Sequence, residues 1–176
     1  MVRATERVDN LRRKWAAAGF VLVFALLALV LIGLTRWSFV DENLILPYTR
    51  WLARLSGHVF AVFGVSVNVE GTFLRHSAFA VDIRRGCDGV VATIVLLSAL
   101  LAFPASWRDR LRGAVMGFAL IFVLNLVRIF VLFGLGIAGQ MAVFNFVHTY
   151  VAQMAVIAAA MVFWVYWTGT ARPRRS

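Results

Sequence analysis

Four apolar runs constrain the fold of this chain more than any other feature. They extend from Ala16 to Leu34, from Val90 to Phe103, from about Gly113 to Ile137 and from about Val147 to Thr168. A helix that crosses a bilayer needs about 20 apolar residues, and a backbone in lipid must satisfy its own hydrogen bonds. The runs therefore predict four transmembrane helices. The second run is short, so residues 87–89 are expected to form its first turn.

Composition and charge exclude two other classes of protein. Of the 176 residues, 62% are hydrophobic and 15% are charged, which excludes an ordinary soluble fold and indicates one domain, 1–176. The net charge of +10 comes largely from arginines beside the apolar runs, so it reflects membrane topology rather than nucleic-acid binding. We therefore expect no nucleic-acid partner.

The basic residues also predict how the helices are oriented. Eleven of them flank one side of a four-helix arrangement, whereas acidic residues nearly balance those in segment 35–87. Because basic loops remain in the cytoplasm, we expect a cytoplasmic basic N-terminus at 1–14, an extracytoplasmic segment at 35–87 and a cytoplasmic basic tail at 169–176. The eleven residues are Arg3, Arg7, Arg12, Arg13, Lys14, Arg108, Arg110, Arg112, Arg172, Arg174 and Arg175.

Segment 35–87 shows two further patterns. Pro47 predicts a helix start, and the apolar residues after it share one face, so we expect an amphipathic helix in the membrane interface. Apolar residues then alternate over Val65–Val69 and Phe79–Ile83, with Gly71 between them, which predicts a small hairpin. The predicted fold class is an all-α polytopic membrane protein with about four transmembrane helices, an interfacial helix and a small extracytoplasmic β-hairpin.

Three reactive side chains come from three different apolar segments. Cys87, the only cysteine, precedes the second run, and His148 begins the fourth, so both are expected at the outer surface. Arg128 in the third run lies roughly 13 Å below the outer boundary at 1.5 Å per residue. An arginine there reaches toward the interface rather than into lipid. Asn125 lies on the same face, one turn earlier. We expect the thiol, the guanidinium and the imidazole to converge in the outer leaflet.

These residue types suit acyl transfer. A helix N-terminus and nearby arginines lower the pKa of a thiol, so Cys87 is predicted to form a thiolate that attacks a carbonyl carbon. Arg128 would stabilise the thiolate or the oxyanion, and His148 would act as acid and base. The spacing of His58 and His76 suggests no metal site. The sequence contains no cofactor motif either, so we expect neither cofactor nor metal.

At these positions the chain resembles the exosortase/archaeosortase family, and it is most similar to the small exosortase H type. The resemblance covers about residues 40–168, including the stretch from Leu101 to Arg108. The segments that resemble the three motifs of the family are Arg85-Gly86-Cys87-Asp88-Gly89, Leu124-Asn125-Leu126-Val127-Arg128-Ile129 and Phe146-Val147-His148.

The resemblance implies a cysteine transpeptidase or protease in the bacterial cytoplasmic membrane. It implies that Cys87 is the nucleophile, Arg128 the charge stabiliser and His148 the acid and base. The implied partners are exported proteins that end in a recognition motif, a transmembrane helix and a basic tail, together with membrane lipid. Both termini would be cytoplasmic, and the active site would lie on the extracytoplasmic face.

Supporting roles are predicted for Arg84, Arg85, Asp88 and Asn125. Asp88 stands where many family members have serine, and both residue types cap helices, so a capping role is expected to survive. Its charge nevertheless opposes thiolate formation at Cys87. The two arginines would bind a substrate carboxylate or lipid phosphate, or serve as interface anchors.

Two other classes of function stay open at the level of sequence. One is an acyltransferase that uses the same thiol on lipid or glycan acyl groups. The other is a membrane assembly or transport subunit without catalytic activity. The acceptor nucleophile, whether water, lipid or glycan, is not specified by the residues.

Overall fold

The structure, a computed structural model, describes the backbone of residues 2–84 and 87–171 and the side chains of Trp15 and of residue 17 onward. Arg85, to which the sequence assigns a supporting role, lies outside the described residues. The basic side chains of segment 1–14 and residues 172–176 of the predicted tail also lie outside them.

The fold is mostly helical, and the predicted class of polytopic membrane protein is confirmed. Its described elements, in chain order, are α1 (Val2–Leu34), α2 (Ser38–Val40), a π-helical turn (Asp41–Ile45), α3 (Leu46–Val62), β1 (Asn68–Glu70), β2 (Phe73–Arg75), β3 (Ala80–Asp82), α4 (Val90–Ala102), α5 (Trp107–Ile137), α6 (Met141–Phe146), a second π-helical turn (Val147–Val151) and α7 (Ala152–Thr170).

Three helical stretches in the described chain are long and apolar enough to cross a membrane. They are Ala17–Leu34, Trp107–Ile137 and Met141–Thr170. The second apolar run forms only α4, whose 13 residues rise about 20 Å, which is shorter than a hydrocarbon core of about 30 Å. The expectation that residues 87–89 extend this helix is wrong, because Gly89 adopts a left-handed conformation with φ of 74° and ends the helical hydrogen bonding there.

The segment between α1 and α4 consists of a helical rod followed by a small sheet. The rod begins at Ser38 and continues through the first π-helical turn into α3, whose predicted apolar face buries Leu52 and Phe60. The sheet is antiparallel, in the order β1-β2-β3, with Leu74 of β2 opposite Val69 and Val81. The prediction of a two-stranded hairpin therefore omitted one strand, because β2 lies between the two alternating runs and pairs with both.

Two apolar clusters hold these layers together. The first joins α3, the sheet and α5, and it contains Cys87. The second joins α4, α5 and α7 around Leu100 and Ile121, with Trp167 at its edge. The start of α4 therefore lies where the sheet-bearing segment meets the membrane helices.

Three of the four glycines on α5 allow other side chains to pack closely against the helix. A Cβ at Gly113 would meet Trp167, one at Gly117 would meet Leu96, and one at Gly136 would meet the ring of Phe79. Gly134 differs, because no atom lies within 4 Å of the position its Cβ would occupy. The contact between Gly136 and Phe79 brings the loop that leads into β3 against the end of α5.

Gly136→Ala should therefore destabilise the protein, whereas Gly134→Ala should not. A methyl group at position 136 overlaps the Phe79 ring, and overpacking of this kind costs about 1–3 kcal/mol. Thermal unfolding of the detergent-solubilised protein, followed by circular dichroism, compares the two variants. Equal melting temperatures for both would contradict the packing described here.

Candidate active site

Cys87 lies in a loop that joins β3 to α4. Ile83, just after the strand, is 1% exposed, and the side chain of Cys87 is 9% exposed, so the loop is anchored in the apolar core at both positions. Gly89 then turns the chain into α4 through its left-handed conformation. A side chain at Gly89 would approach the Asn125 amide to 3.2 Å, so glycine also allows α5 to pack closely on this loop.

Side chains from two helices bind the carbonyl groups of this loop. Nδ2 of Asn125 on α5 donates a hydrogen bond of 2.7 Å to the carbonyl oxygen of Cys87. The hydroxyl of Tyr48 on α3 donates one of 3.3 Å to the carbonyl oxygen of Asp88. The loop is thus held from both sides, and the position of the thiol follows from helices distant in sequence.

Asp88 caps α4 from a different position than the sequence suggests. Gly89 is the N-cap residue, and a carboxylate oxygen of Asp88 accepts a hydrogen bond of 3.1 Å from the amide of Val90. Burial raises the pKa of Asp88, while the Val90 amide and the Arg128 charge lower it in part. The carboxylate therefore satisfies one free amide of the helix start, as a capping side chain does.

The imidazole of His148 is in contact with the thiol of Cys87. Its Nδ1 lies 3.7 Å from Sγ of Cys87. The imidazole stacks on Phe144, with ring centroids 5.7 Å apart and planes 8° from parallel, which holds its orientation. His148 belongs to the π-helical turn Val147–Val151. Single π-helical turns in longer helices occur often at functional sites.

Arg128 lies on α5, three residues after Asn125, and its charge acts on both Cys87 and Asp88. Its Nε is buried and has no hydrogen-bond partner among the described residues. A cation with an unused donor, in a site of low polarity, is available to an anionic group that forms during a reaction.

The thiol of Cys87 is less acidic than the sequence suggests. Burial raises its pKa above the ordinary value, and this effect exceeds the opposing effect of Arg128. The carboxylates of Asp88 and Asp82 raise the pKa further. The expectation of a lowered pKa is therefore wrong, because the loop buries the thiol instead of presenting it in the exposed first turn of a helix.

An open cavity of about 720 Å³ extends from the Cys87 loop between α1, α4, α5 and α7. Its polar end includes Asp88, Arg128 and Gln153, and most of the remaining lining is apolar. Along α7 it extends from Gln153 to Trp164, roughly 16 Å at 1.5 Å per residue. Phe20 of α1 packs on Trp164 with ring centroids 5.7 Å apart and closes the far end.

Other residues singled out in the sequence lie apart from this group. Arg84 forms an ion pair of 2.7 Å with Asp41 and does not line the cavity. His58 is exposed on α3, and Nδ1 of His76 accepts a hydrogen bond from the amide of Ala78. Among the side chains that the structure describes, no group of three or more His, Cys, Asp or Glu could hold a metal ion.

Sequence reasoning missed two residues of this site. Gln153 is a polar residue within an apolar helix, and the tendency of such residues to face cavities could have identified it. Tyr48 gave no comparable signal, because a tyrosine in an interfacial helix is ordinary. Only the packing of α3 against the Cys87 loop shows its contact with Asp88.

Comparison with known proteins gives one match. The family model described as transmembrane exosortase matches residues 14–166, a range that includes Cys87, Arg128 and His148. No curated protein and no solved structure matches the chain. The matched range begins in α1, earlier than the motif resemblance alone indicates.

The rate at which Cys87 is alkylated should depend on pH, because the surrounding groups shift the pKa of its thiol. Because its pKa is raised, the thiol is protonated at neutral pH, so alkylation by iodoacetamide should be slow there and rise through an inflection above that of an ordinary cysteine. Asp88→Asn keeps a hydrogen-bond acceptor but removes a charge that raises the pKa, so the inflection should move to lower pH. Arg128→Gln should move it to higher pH.

The chain contains one cysteine, so labelling reports on Cys87 alone, and Cys87→Ser provides the blank. The rates are measured by mass spectrometry of the detergent-solubilised protein. An inflection that stays in place or moves upward in Asp88→Asn would contradict the assigned electrostatics.

Asn125→Leu should destabilise the fold by about 1–3 kcal/mol, because the carbonyl of Cys87 would lose its donor in a buried site. The matched control is Asn43→Leu, since the Asn43 amide donates a bond of 2.9 Å to the carbonyl of Phe39 at an exposed position. The control should change stability by no more than about 0.5 kcal/mol. Thermal unfolding in detergent measures both, and equal losses would contradict the role given to Asn125.

Proposed function

Because the chain belongs to the transmembrane exosortase family, we propose that it is a membrane-embedded cysteine transpeptidase or protease. The observation that carries the proposal is the approach of Cys87 Sγ to within 3.7 Å of His148 Nδ1, together with the charge of Arg128, which acts on the thiol. A sulfur nucleophile, a base in contact with it and a fixed cation are the parts that acyl transfer requires.

The first half of the reaction forms a thioester. His148, with its ring proton on Nε2, accepts the thiol proton at Nδ1 as Sγ attacks the carbonyl carbon of the scissile peptide bond. The electron pair of the carbonyl moves to oxygen, and the oxyanion collapses as the carbon–nitrogen bond breaks. The imidazolium returns the proton to the leaving amine, which leaves an acyl group on Cys87.

The second half transfers the acyl group. An acceptor with a hydroxyl or amine group, or water, gives its proton to His148 and attacks the thioester carbon. The carbon–sulfur bond breaks, and the sulfur takes the proton back from the imidazolium. This cycle starts from a neutral thiol, which agrees with the raised pKa of Cys87. It uses general base catalysis instead of a thiolate that exists beforehand.

Arg128 would stabilise the negative charge on the carbonyl oxygen, which forms once in each half of this cycle. Its electrostatic action on Cys87 and the absence of a hydrogen-bond partner for Nε among the described residues support this role. Removing one stabilising donor of this kind costs about 10²–10³ in rate in other enzymes.

The proposed substrates are exported proteins that end in a recognition motif, a transmembrane helix and a basic tail. The apolar cavity supports this choice, because it extends from the Cys87 loop along helices that lie in the membrane. The C-terminal helix of a substrate would enter sideways and lie along α4 and α7, with its scissile bond near Cys87. Close packing would select this helix, since hydrophobicity does not separate helices within lipid.

The proposed location is the bacterial cytoplasmic membrane, with both termini and loop 104–112 in the cytoplasm. The distribution of basic residues supports this orientation. Cys87 and His148 would then lie at the extracytoplasmic face, where an exported protein arrives with its C-terminal helix still in the membrane.

A second candidate is an acyltransferase that acts on lipid or glycan. The apolar lining of the cavity favours it to the same extent, because an acyl chain would also fit such a surface. The two candidates differ in the acyl group that Cys87 carries during turnover.

The test is to trap the acyl group on Cys87. Full-length protein in membranes is mixed with a host protein that ends in an apolar helix and a basic tail, and Cys87 is analysed by mass spectrometry after an acid quench. We expect a hydroxylamine-sensitive peptide adduct, none in Cys87→Ala, and cleavage rates reduced about 10²–10³-fold in Arg128→Gln and about 10²–10⁴-fold in His148→Gln.

His58→Gln is the matched control, because this histidine is exposed on α3 and should keep full activity. An adduct that forms only with lipid acyl donors would replace the proposal with the acyltransferase. Full cellular function in Cys87→Ser and Arg128→Ala would indicate a subunit without catalytic activity.

A further inference from the structure

Gln153 is a polar residue on α7 that lines the membrane cavity beside Arg128 and Asp88. Its side chain makes no hydrogen bond to another described residue. An amide group exposed to lipid is costly, so polar side chains in membrane helices face a cavity or a partner. The cavity provides the first of these for Gln153, whose side chain is exposed, and no described residue provides the second.

The second π-helical turn orients Gln153 and His148 toward one region. In a regular α-helix, residues five positions apart point roughly 140° away from each other. A π-helical turn forms hydrogen bonds between residues five apart, as the Ala152 amide does with the carbonyl of Val147, and this wider turn reduces that angle. His148 thereby meets Cys87 while Gln153 lines the cavity about 7 Å further along the helix.

Two polar groups without a hydrogen-bond partner among the described residues thus occur on side chains that line this cavity, together with Asp88 and Asn125. One is the Gln153 amide, and the other is the buried Nε of Arg128. Together they offer donors and one acceptor, whereas the lining toward Trp164 is mostly apolar. A ligand that satisfies this arrangement has acceptors and donors at its polar end and an apolar body.

We propose that Gln153 binds the main chain of the substrate where the substrate helix is unwound beside Cys87. This inference rests on the proposed function and deepens it. A peptide bond within an intact helix has its amide and carbonyl bonded to the helix itself, and neighbouring turns cover it. The segment must be extended before Sγ can reach the carbonyl carbon, and the backbone groups that this releases would lie in a medium with little water.

A glutamine side chain matches such a segment because its amide carries both kinds of group that a peptide needs. The Nε2 hydrogens of its side-chain NH₂ donate to a carbonyl, and its Oε1 accepts from an N–H. A lipid ester would offer acceptors alone and leave the oxygen of Gln153 without a donor. The chemistry of the residue therefore favours a polypeptide main chain over an acyl ester as the occupant of this end of the cavity.

The test compares three variants. Gln153→Met removes the amide at similar volume, and Gln153→Asn keeps an amide on a shorter side chain. The double variant Gln153→Met/Met154→Gln has the same composition as the natural chain but moves the amide by one residue, to a position that does not line the cavity. Each is assayed as full-length protein in membranes, with the tailed host protein as substrate and with iodoacetamide as a small reagent for Cys87.

We expect Gln153→Met and the double variant to lower the rate of thioester formation about tenfold, the loss of one hydrogen bond to the substrate, with partial recovery in Gln153→Asn. Alkylation by iodoacetamide should be unchanged, since that reaction needs no unwound helix. A substrate with two glycines placed just after the scissile bond should be cleaved by Gln153→Met at nearly the natural rate, because its helix is already broken.

Distinct results overturn the two proposals. If the natural protein forms a thioester but Gln153→Met and the double variant do so equally fast, the role of Gln153 is wrong and the proposed function stands. The same conclusion follows if Gln153→Met slows cleavage of the substrate with glycines as much as it slows cleavage of the original substrate. If the natural protein forms no thioester with a tailed substrate while iodoacetamide still labels Cys87, the proposed function fails, and the role of Gln153 fails with it.

Discussion

The hydrogen bond from Nδ2 of Asn125 to the carbonyl oxygen of Cys87 is the contact on which the arrangement of the site depends. It ties the loop that leaves the small sheet to α5 within the membrane bundle. A carbonyl without a donor is costly in a buried site, so this bond fixes the depth of the loop. Arg128 lies one turn further along α5, and its charge therefore acts on the thiol at a position that Asn125 has set.

Burial at this loop has two opposing consequences for chemistry. It raises the pKa of Cys87, so a thiolate is less available at neutral pH. It also strengthens the interaction between a forming anion and the fixed charge of Arg128, because water does not screen it. A base in direct contact with the thiol resolves this conflict, and His148 occupies that position at 3.7 Å. The site thus favours negative charge that forms during the reaction over a thiolate that is present before it.

Particular elements show how far the sequence reaches. The apolar runs predicted α1, α5 and the helical stretch that ends with α7, because hydropathy acts locally and needs no partner. The strand Phe73–Arg75 was missed, since three residues with one buried position carry too little pattern to separate a strand from a loop. The helix start at Cys87 was placed wrongly because the run Val90–Phe103 is short for a membrane span, so residues 87–89 were added to it. Only the left-handed conformation of Gly89 shows that the helix begins after it.

The sequence by itself determined the membrane-spanning character of the chain, the order of its apolar helices, and the presence of Cys87, Arg128 and His148 in or beside three different apolar runs. The tertiary structure alone decided that Sγ of Cys87 contacts a ring 61 residues away, that the thiol is buried, and that Gln153 lines the cavity. The physical reason is that hydropathy and chain order belong to each segment separately. Contact and loss of solvent, by contrast, arise only when segments distant in sequence pack together.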